Sequence, residues 1–333
     1  MTSGNGGDRW EFVEFEDSPD RDPRLPQPEM EGLVPGAPRA AHDLTHVHAG
    51  AHLQVVEVVG GQGTGPGEFG RPVGVHVDLR GNLYVADADQ RSVRRITPEG
   101  EVWTCACSSA DSRVDVEQPW DVAVDRDGMI YILDRGGRVQ KMNADGGYQH
   151  TFGMPGSHLG QLRYPQGLAL DSRRNVYVAD TWNHRVSVFH PRGRLQSVWR
   201  GAEVGGFERP RGVAVTRHDE VIVCDTLNHR LVVHNVLGAV LEVIEGYRSG
   251  AWRFRLPVSV DEDPFSNLWI IEGQGGKLSK VDRNGQLLTS FGPDLGGNLG
   301  TLESPSSVGV CLDGDLYVSD QGARRILKLG YRD

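Results

Sequence analysis

The sequence predicts an all-β chain: a six-bladed β-propeller of four-stranded blades, its last blade closed by an N-terminal strand. Three observations carry this. First, Pro72, Pro119, Pro165, Pro210, Pro257 and Pro305 recur at intervals of 47, 46, 45, 47 and 48 residues. Each is followed fifteen residues later by a carboxylate: Asp87, Asp134, Asp180, Asp225, Glu272 and Asp320. Second, each unit divides into short runs of β-branched and aromatic residues bounded by Gly, Asn, Asp or Pro, the pattern of strands and tight turns. Third, the last unit has three such runs where the others have four, and an unclaimed run, Leu53–Gly60, precedes the first proline. A period in the forties with four strands per unit is a propeller blade.

Residues 1–50 lie outside the repeat and form an acidic, proline-rich arm. Six of the eighteen prolines fall here, and residues 8–31 hold nine carboxylates against three arginines. Such composition favours an extended chain. Within it, Trp10-Glu-Phe-Val-Glu-Phe15 has the apolar content of a docking segment. His42, His46, His48 and His52 share one parity, which in an extended chain puts four imidazoles on one side. Without a preformed scaffold such a cluster binds metal weakly, so no metal and no cofactor are expected.

Residues 51–333 form the propeller. Leu53–Gly60 supplies the outer strand of the last blade, which removes two open sheet edges. The third unit shows the pattern in full. Pro165–Asp171, Val176–Asp180, Arg185–His190 and Leu195–Trp199 read as four antiparallel strands. In the sixth unit Ser307–Cys311, Asp315–Asp320 and Arg325–Leu329 read as three. A helical alternative fails because turn residues interrupt every apolar stripe of 3.6-residue period.

The consensus Pro-x-Gly-Val-Ala-Val, then Val-Tyr-Val-Ala-Asp-Thr-x-Asn-His-Arg-Val, resembles the NHL repeat, most clearly at Pro165–Val186 and Pro210–Leu231. The resemblance extends in weaker form across the other units, where Arg135-Gly-Gly and Glu272-Gly-Gln-Gly-Gly depart from it. It implies a six-bladed propeller, in agreement with the count of repeats. It implies no single activity, because the scaffold hosts protein and RNA readers, sensors and lyases. Zinc-dependent lyases of this fold hold metal with histidines from several blades; here no histidine occupies a post-proline slot.

A net charge of −10 weighs against nucleic acid or an anionic membrane as partner. No run of 18 apolar residues occurs, and the first residues lack a secretory core, so a cytoplasmic monomer is expected. Cys105, Cys107, Cys224 and Cys311 read as buried, inert thiols.

Function is sought where the repeats disagree. The post-proline slot reads Val73, Trp120, Gln166, Arg211, Val258 and Ser306 and is expected beside the central channel. The next slot is Gly or Ser except at Asp121. Two residues further on, small residues give way to His76 and Asp261. The loops before the prolines share a face with the second-to-third turns. They bring Arg71, Arg163, Tyr164, Trp182, Arg209, Arg253 and Arg255 around Trp120. Arginines interleaved with aromatics suit an anionic or π-rich ligand. The expected function is ligand or protein binding at this channel-mouth face, through Trp120, Gln166, Arg163, Tyr164, Trp182, Arg209 and Arg255. A protein or small anionic ligand is the expected partner, ahead of RNA. The alternative is a metal-independent lyase, hydrolase or cyclase at the same mouth, with His76 or Asp121 as base and Arg211 holding developing negative charge.

Overall fold

The computed structural model describes residues 52–107, 116–245, 253–292 and 302–332. The arm and the histidines at 42, 46 and 48 lie outside the described residues. Strand β1 is His52–Gly60. Blade 1 is β2 (Pro72–Val77), β3 (Leu83–Asp87), β4 (Ser92–Ile96) and β5 (Val102–Cys107). Blade 2 is β6 (Pro119–Val124), β7 (Ile130–Asp134), β8 (Arg138–Met142) and β9 (Tyr148–Phe152). Blade 3 is β10 (Gly167–Leu170), β11 (Val176–Asp180), β12 (Arg185–Phe189) and β13 (Leu195–Trp199). Blade 4 is β14 (Val213–Val215), β15 (Glu220–Asp225), β16 (Arg230–Asn235) and β17 (Val240–Ile244). Blade 5 is β18 (Pro257–Glu262), β19 (Leu268–Glu272), β20 (Lys277–Val281) and β21 (Leu287–Phe291). Blade 6 is β22 (Pro305–Val310), β23 (Leu316–Asp320) and β24 (Arg325–Arg332), and its sheet order is β1-β24-β23-β22. Six four-stranded sheets thus form an all-β, six-bladed propeller.

The second strand of each blade is buried on both faces, so alternate residues serve two different cores. In β11, Val176 and Val178 pack with Tyr131, Leu133 and Phe152 of blade 2. Tyr177 and Ala179, pointing the other way, pack with Val213, Val221 and Val223 of blade 4. One strand therefore joins three blades. The expected first strand Pro165–Asp171 is shorter in the structure, at Gly167–Leu170. Asp171 is withdrawn from it because its Oδ1 accepts the backbone N–H groups of Arg173 and Asn175, closing the turn.

The six terminal carboxylates tie each second strand to the loop that leads into the same blade. Asp87 accepts from the N–H groups of Gly70 and Arg71, both at 2.8 Å. Asp134 accepts from Glu117 and Gln118, Asp180 from Arg163, Asp225 from Glu208, Glu272 from Arg255, and Asp320 from Glu303 and Ser304. In blades 3 and 4 a buried guanidinium completes the shell: Arg185 Nε lies 2.7 Å from Asp180, and Arg230 Nε 2.8 Å from Asp225. His184 and His229 of the same units bridge blades. Their Nδ1 atoms accept from the N–H groups of Arg209 (3.4 Å) and Leu256 (3.2 Å) in the next blade.

The innermost strands meet in two tiers around the channel. In the upper tier, the residue two after each proline faces the next blade's strand. Three of these are Gly, because the next backbone is close: a Cβ at Gly167 would lie 2.2 Å from the Arg211 carbonyl oxygen, and one at Gly212 2.8 Å from that of Val258. The other three reach across by hydrogen bond. Asp121 Oδ2 accepts from Leu168 N–H (2.8 Å), Ser259 Oγ from Val308 N–H (3.1 Å) and Ser307 Oγ from Val75 N–H (3.2 Å). The lower tier, four after the proline, repeats the device: Asp261 Oδ2 accepts from Val310 N–H (2.8 Å), and His76 is hydrogen-bonded to the backbone of Val124. The oddly charged slots are therefore inter-blade fasteners as well as channel-lining groups.

Burial shapes their titration. Asp121 keeps a little open surface, but that surface faces only the channel, and desolvation lifts its carboxyl to about 7 against the opposing hydrogen bonds from Leu168 and Val122. Asp261 is lifted to about 6 by the same cause, and burial lowers His76 to about 4. Burial also pushes the Cys105 thiol up to about 11 and Cys311 to about 12, and raises Cys224, so these three are thiols rather than thiolates at neutral pH.

Two predictions follow from these fasteners. A carboxyl raised above its unfolded value of about 3.9 contributes stability that is intact below that pH and lost as pH rises through the folded value. Asp121→Ser keeps a hydroxyl acceptor in the slot. Its stability relative to the parent should therefore improve between pH 4 and pH 8, by about 1–3 kcal/mol after allowance for channel water. Denaturant unfolding at the two pH values measures this, and a pH-independent difference would refute it. Separately, Asp180→Ala leaves Arg185 buried without its carboxylate and should cost about 3–5 kcal/mol. A loss under 1 kcal/mol in the same assay would show that the pair does not hold the loop.

Candidate functional site

All six post-proline residues line one cavity of about 170 Å³ at the channel mouth: Val73, Trp120, Gln166, Arg211, Val258 and Ser306. They project there because the strand departs from its ladder at this point. In blades 1, 2, 5 and 6 the pairing skips the post-proline residue, a bulge that leaves it unpaired and re-aims its side chain. In blades 3 and 4 the strand begins only after Gln166 and Arg211. Asp121, Ser259 and Ser307 form the floor and also line a second cavity below, of about 280 Å³, with His76, Asp261 and a wall of Val and Leu side chains.

The three proposed catalytic residues are thereby divided. Asp121 shares the upper cavity with Arg211 and the lower one with His76, whereas His76 and Arg211 line no common cavity.

Around the mouth, guanidinium and aromatic groups alternate. Arg71 lies 5.6 Å and Arg135 4.3 Å from the Trp120 ring centroid, and Arg135 also reaches Tyr164 at 5.5 Å. Tyr164 packs on Trp182 with centroids 5.3 Å apart, and Trp182 is met by Arg209 at 4.4 Å and Arg163 at 5.7 Å. Each such contact contributes about 0.5–2 kcal/mol and fixes the arginine's direction. Tyr164 and Arg209, the pre-proline residues of blades 3 and 4, adopt left-handed backbone with φ of 45° and 49°. That conformation is costly for non-glycine residues and is held here by the neighbouring clamp hydrogen bonds. Arg255 stands apart. It lines a separate groove with Asn228, His229 and Phe254 on the blade 4–5 side.

Arg135 stood out in the sequence as a departure from the repeat but was not expected at the site. It follows Asp134 in a turn one residue shorter than Thr181–His184, and that shortening was its signal. Its guanidinium stands over the Trp120 ring.

The cations of this cluster are short of anions. Arg71 pairs with Asp89 at 3.0 Å. Arg135, Arg163, Arg209 and Arg211 have no carboxylate within ion-pair distance among the described residues. The Nε atoms of Arg135 and Arg211 are buried without a hydrogen-bond partner among the described residues. Arg211 is held below its ordinary range by burial, then by the like charges of Arg209 and Arg135. Among the described residues no group of three or more His, Cys, Asp or Glu side chains is arranged to hold a metal ion, and no helix is long and apolar enough to cross a membrane.

Solved structures with this architecture are numerous. A streptogramin B lyase superposes with a TM-score of 0.60 at 12% identity, over 85% of this chain and 98% of that one. A structural genomics protein of unknown function from Bacteroides thetaiotaomicron VPI-5482 gives 0.62 at 17%, over 85% and 76%. A chain of a nidogen/laminin complex gives 0.53 at 20%, over 67% and 80%. At such identities these likenesses speak to fold alone. A family model for the NHL repeat matches residues 162–189 and 207–233, which span the loops and inner strands of blades 3 and 4. The chain is a six-bladed β-propeller that carries NHL repeats at residues 162–189 and 207–233.

Proposed function

We propose that this propeller is a binding module whose channel mouth captures an anionic group, carried by a small ligand or by a partner protein. The observation behind the reading is the pair of buried, unpartnered guanidinium nitrogens of Arg135 and Arg211 beside a polar cavity, in a chain of net charge −10. Both arginines are only partly buried, but each has an Nε–H without an acceptor, and an incoming anion supplies that acceptor together with a counter-charge. The aromatic rings hold the guanidiniums in place beforehand, so little ordering is left to the moment of binding. Gln166 adds a side-chain amide at the same mouth. Arg163 and Arg209, both against the Trp182 ring, extend the cationic surface to where a larger partner would rest.

The lyase, hydrolase or cyclase reading draws support from the likeness to the streptogramin B lyase fold and from Asp121 at the cavity floor. It is disfavoured by the separation of His76 from Arg211, because base and anion-stabilising group need a common substrate position.

Calorimetric titration with inorganic phosphate and with propionate tests the binding reading. Arg211→Ala and Arg135→Ala should each weaken binding about tenfold or more, the worth of one charge-assisted hydrogen bond. Raising the salt from about 0.05 to about 0.5 M should weaken it further through screening. Affinities indifferent to both arginines would refute the assignment.

A further inference from the structure

We infer that the mouth cavity is built for a small zwitterion, with the ligand's carboxylate on Arg211 and its ammonium on Asp121. This rests on the anion-binding reading above and adds the second charge.

Arg211 and Asp121 line the same cavity of about 170 Å³, yet among the ion pairs of the described residues none joins them. The groups that perturb Arg211 are burial, Arg209 and Arg135; those that perturb Asp121 are burial and the backbone at Leu168 and Val122. The two groups thus line one cavity without pairing with each other, and an ammonium brought to Asp121 would favour its ionised form.

The chain's own repeats show that the charge of Asp121 exceeds what the fold requires. At the same slot in blades 5 and 6, Ser259 and Ser307 accept the equivalent inter-blade N–H at 3.1 and 3.2 Å. A hydroxyl does the fastening with far less desolvation than a carboxylate. Asp121 has one backbone hydrogen bond on each oxygen, at 2.9 and 2.8 Å, which leaves acceptor capacity on both for a ligand donor. On the other side, Arg211 Nε is buried and unpartnered.

Single charges fit the cavity poorly. A plain anion on Arg211 shares the cavity with Asp121, and a plain cation on Asp121 shares it with Arg211. A molecule carrying both charges a few bonds apart satisfies each group with its opposite. The remaining wall, Val73, Val258, Ser306 and Gln321, is uncharged and places no third charge demand on the ligand. The volume of about 170 Å³ accommodates a molecule the size of a short amino acid.

The test uses the full chain and five probes: glycine, β-alanine, γ-aminobutyrate, propionate and n-propylamine, titrated by calorimetry or ligand-observed NMR. At least one of the three zwitterions should bind about tenfold or more tightly than propionate and than n-propylamine. Asp121→Ser, which retains a fastening hydroxyl, should remove that advantage and at the same time tighten propionate. Arg211→Ala should weaken the zwitterion and propionate together. If propionate equals every zwitterion on the parent protein, or if Asp121→Ser leaves the zwitterion's advantage intact, the inference fails while the anion-binding reading stands. If neither propionate, phosphate nor any zwitterion binds, both fail.

Discussion

The carboxylate that ends the second strand of every blade is the contact on which the mouth depends. Its oxygens take backbone N–H groups from the loop that precedes the proline, and so fix where the innermost strand begins. The proline then sets φ for one residue, and the following residue is delivered to the channel. The same bonds hold Tyr164 and Arg209 in backbone conformations they would not adopt freely. Hydrogen bonds to a charged acceptor contribute about 1.5–3 kcal/mol each, enough to outweigh local backbone strain. The shared part of the repeat therefore positions the unshared part.

The mouth is lopsided in consequence. Blades 2, 3 and 4 contribute Trp120, Arg135, Arg163, Tyr164, Trp182, Arg209 and Arg211, while blades 5, 6 and 1 face the cavity with Val258, Ser306 and Val73. Like charges are gathered on one arc, and Arg211 is held below its ordinary range by burial first and by Arg209 and Arg135 after it. The π-faces of Trp120, Tyr164 and Trp182 offset part of that repulsion by standing between the guanidiniums. Net negative charge elsewhere sets this arc off from its surroundings and steers anions toward it.

The ring was legible in the sequence because blade period, strand alternation and turn chemistry agree with one another. All six post-proline residues stand at the mouth, where the spacing of the prolines located them. What the sequence did not disclose lies across blade boundaries. The bond from Leu168 to Asp121 joins residues 47 apart, so a slot that reads as a lone departure within its unit is a fastener between units. The role of Arg135 was hidden for a related reason: it depends on a turn shortened by one residue and on an aromatic from the adjacent strand. The placement of Arg255 in another groove likewise reflects the backbone path, which residue type alone does not encode. Periodicity reports what repeats, and these features come from how non-identical neighbours meet.

The mixed junctions bear on how such a ring can change over time. Where a glycine meets its neighbour, the backbones touch, and any added side chain at that joint must be matched by movement of the next blade. Where Ser or Asp meets its neighbour, a side chain spans the gap, and its chemistry can alter while the strands stay put. Duplicated units are therefore not interchangeable parts. New selectivity enters most cheaply at the three spanned joints, which leaves the three glycine joints as the frame around which a lineage of such rings diversifies.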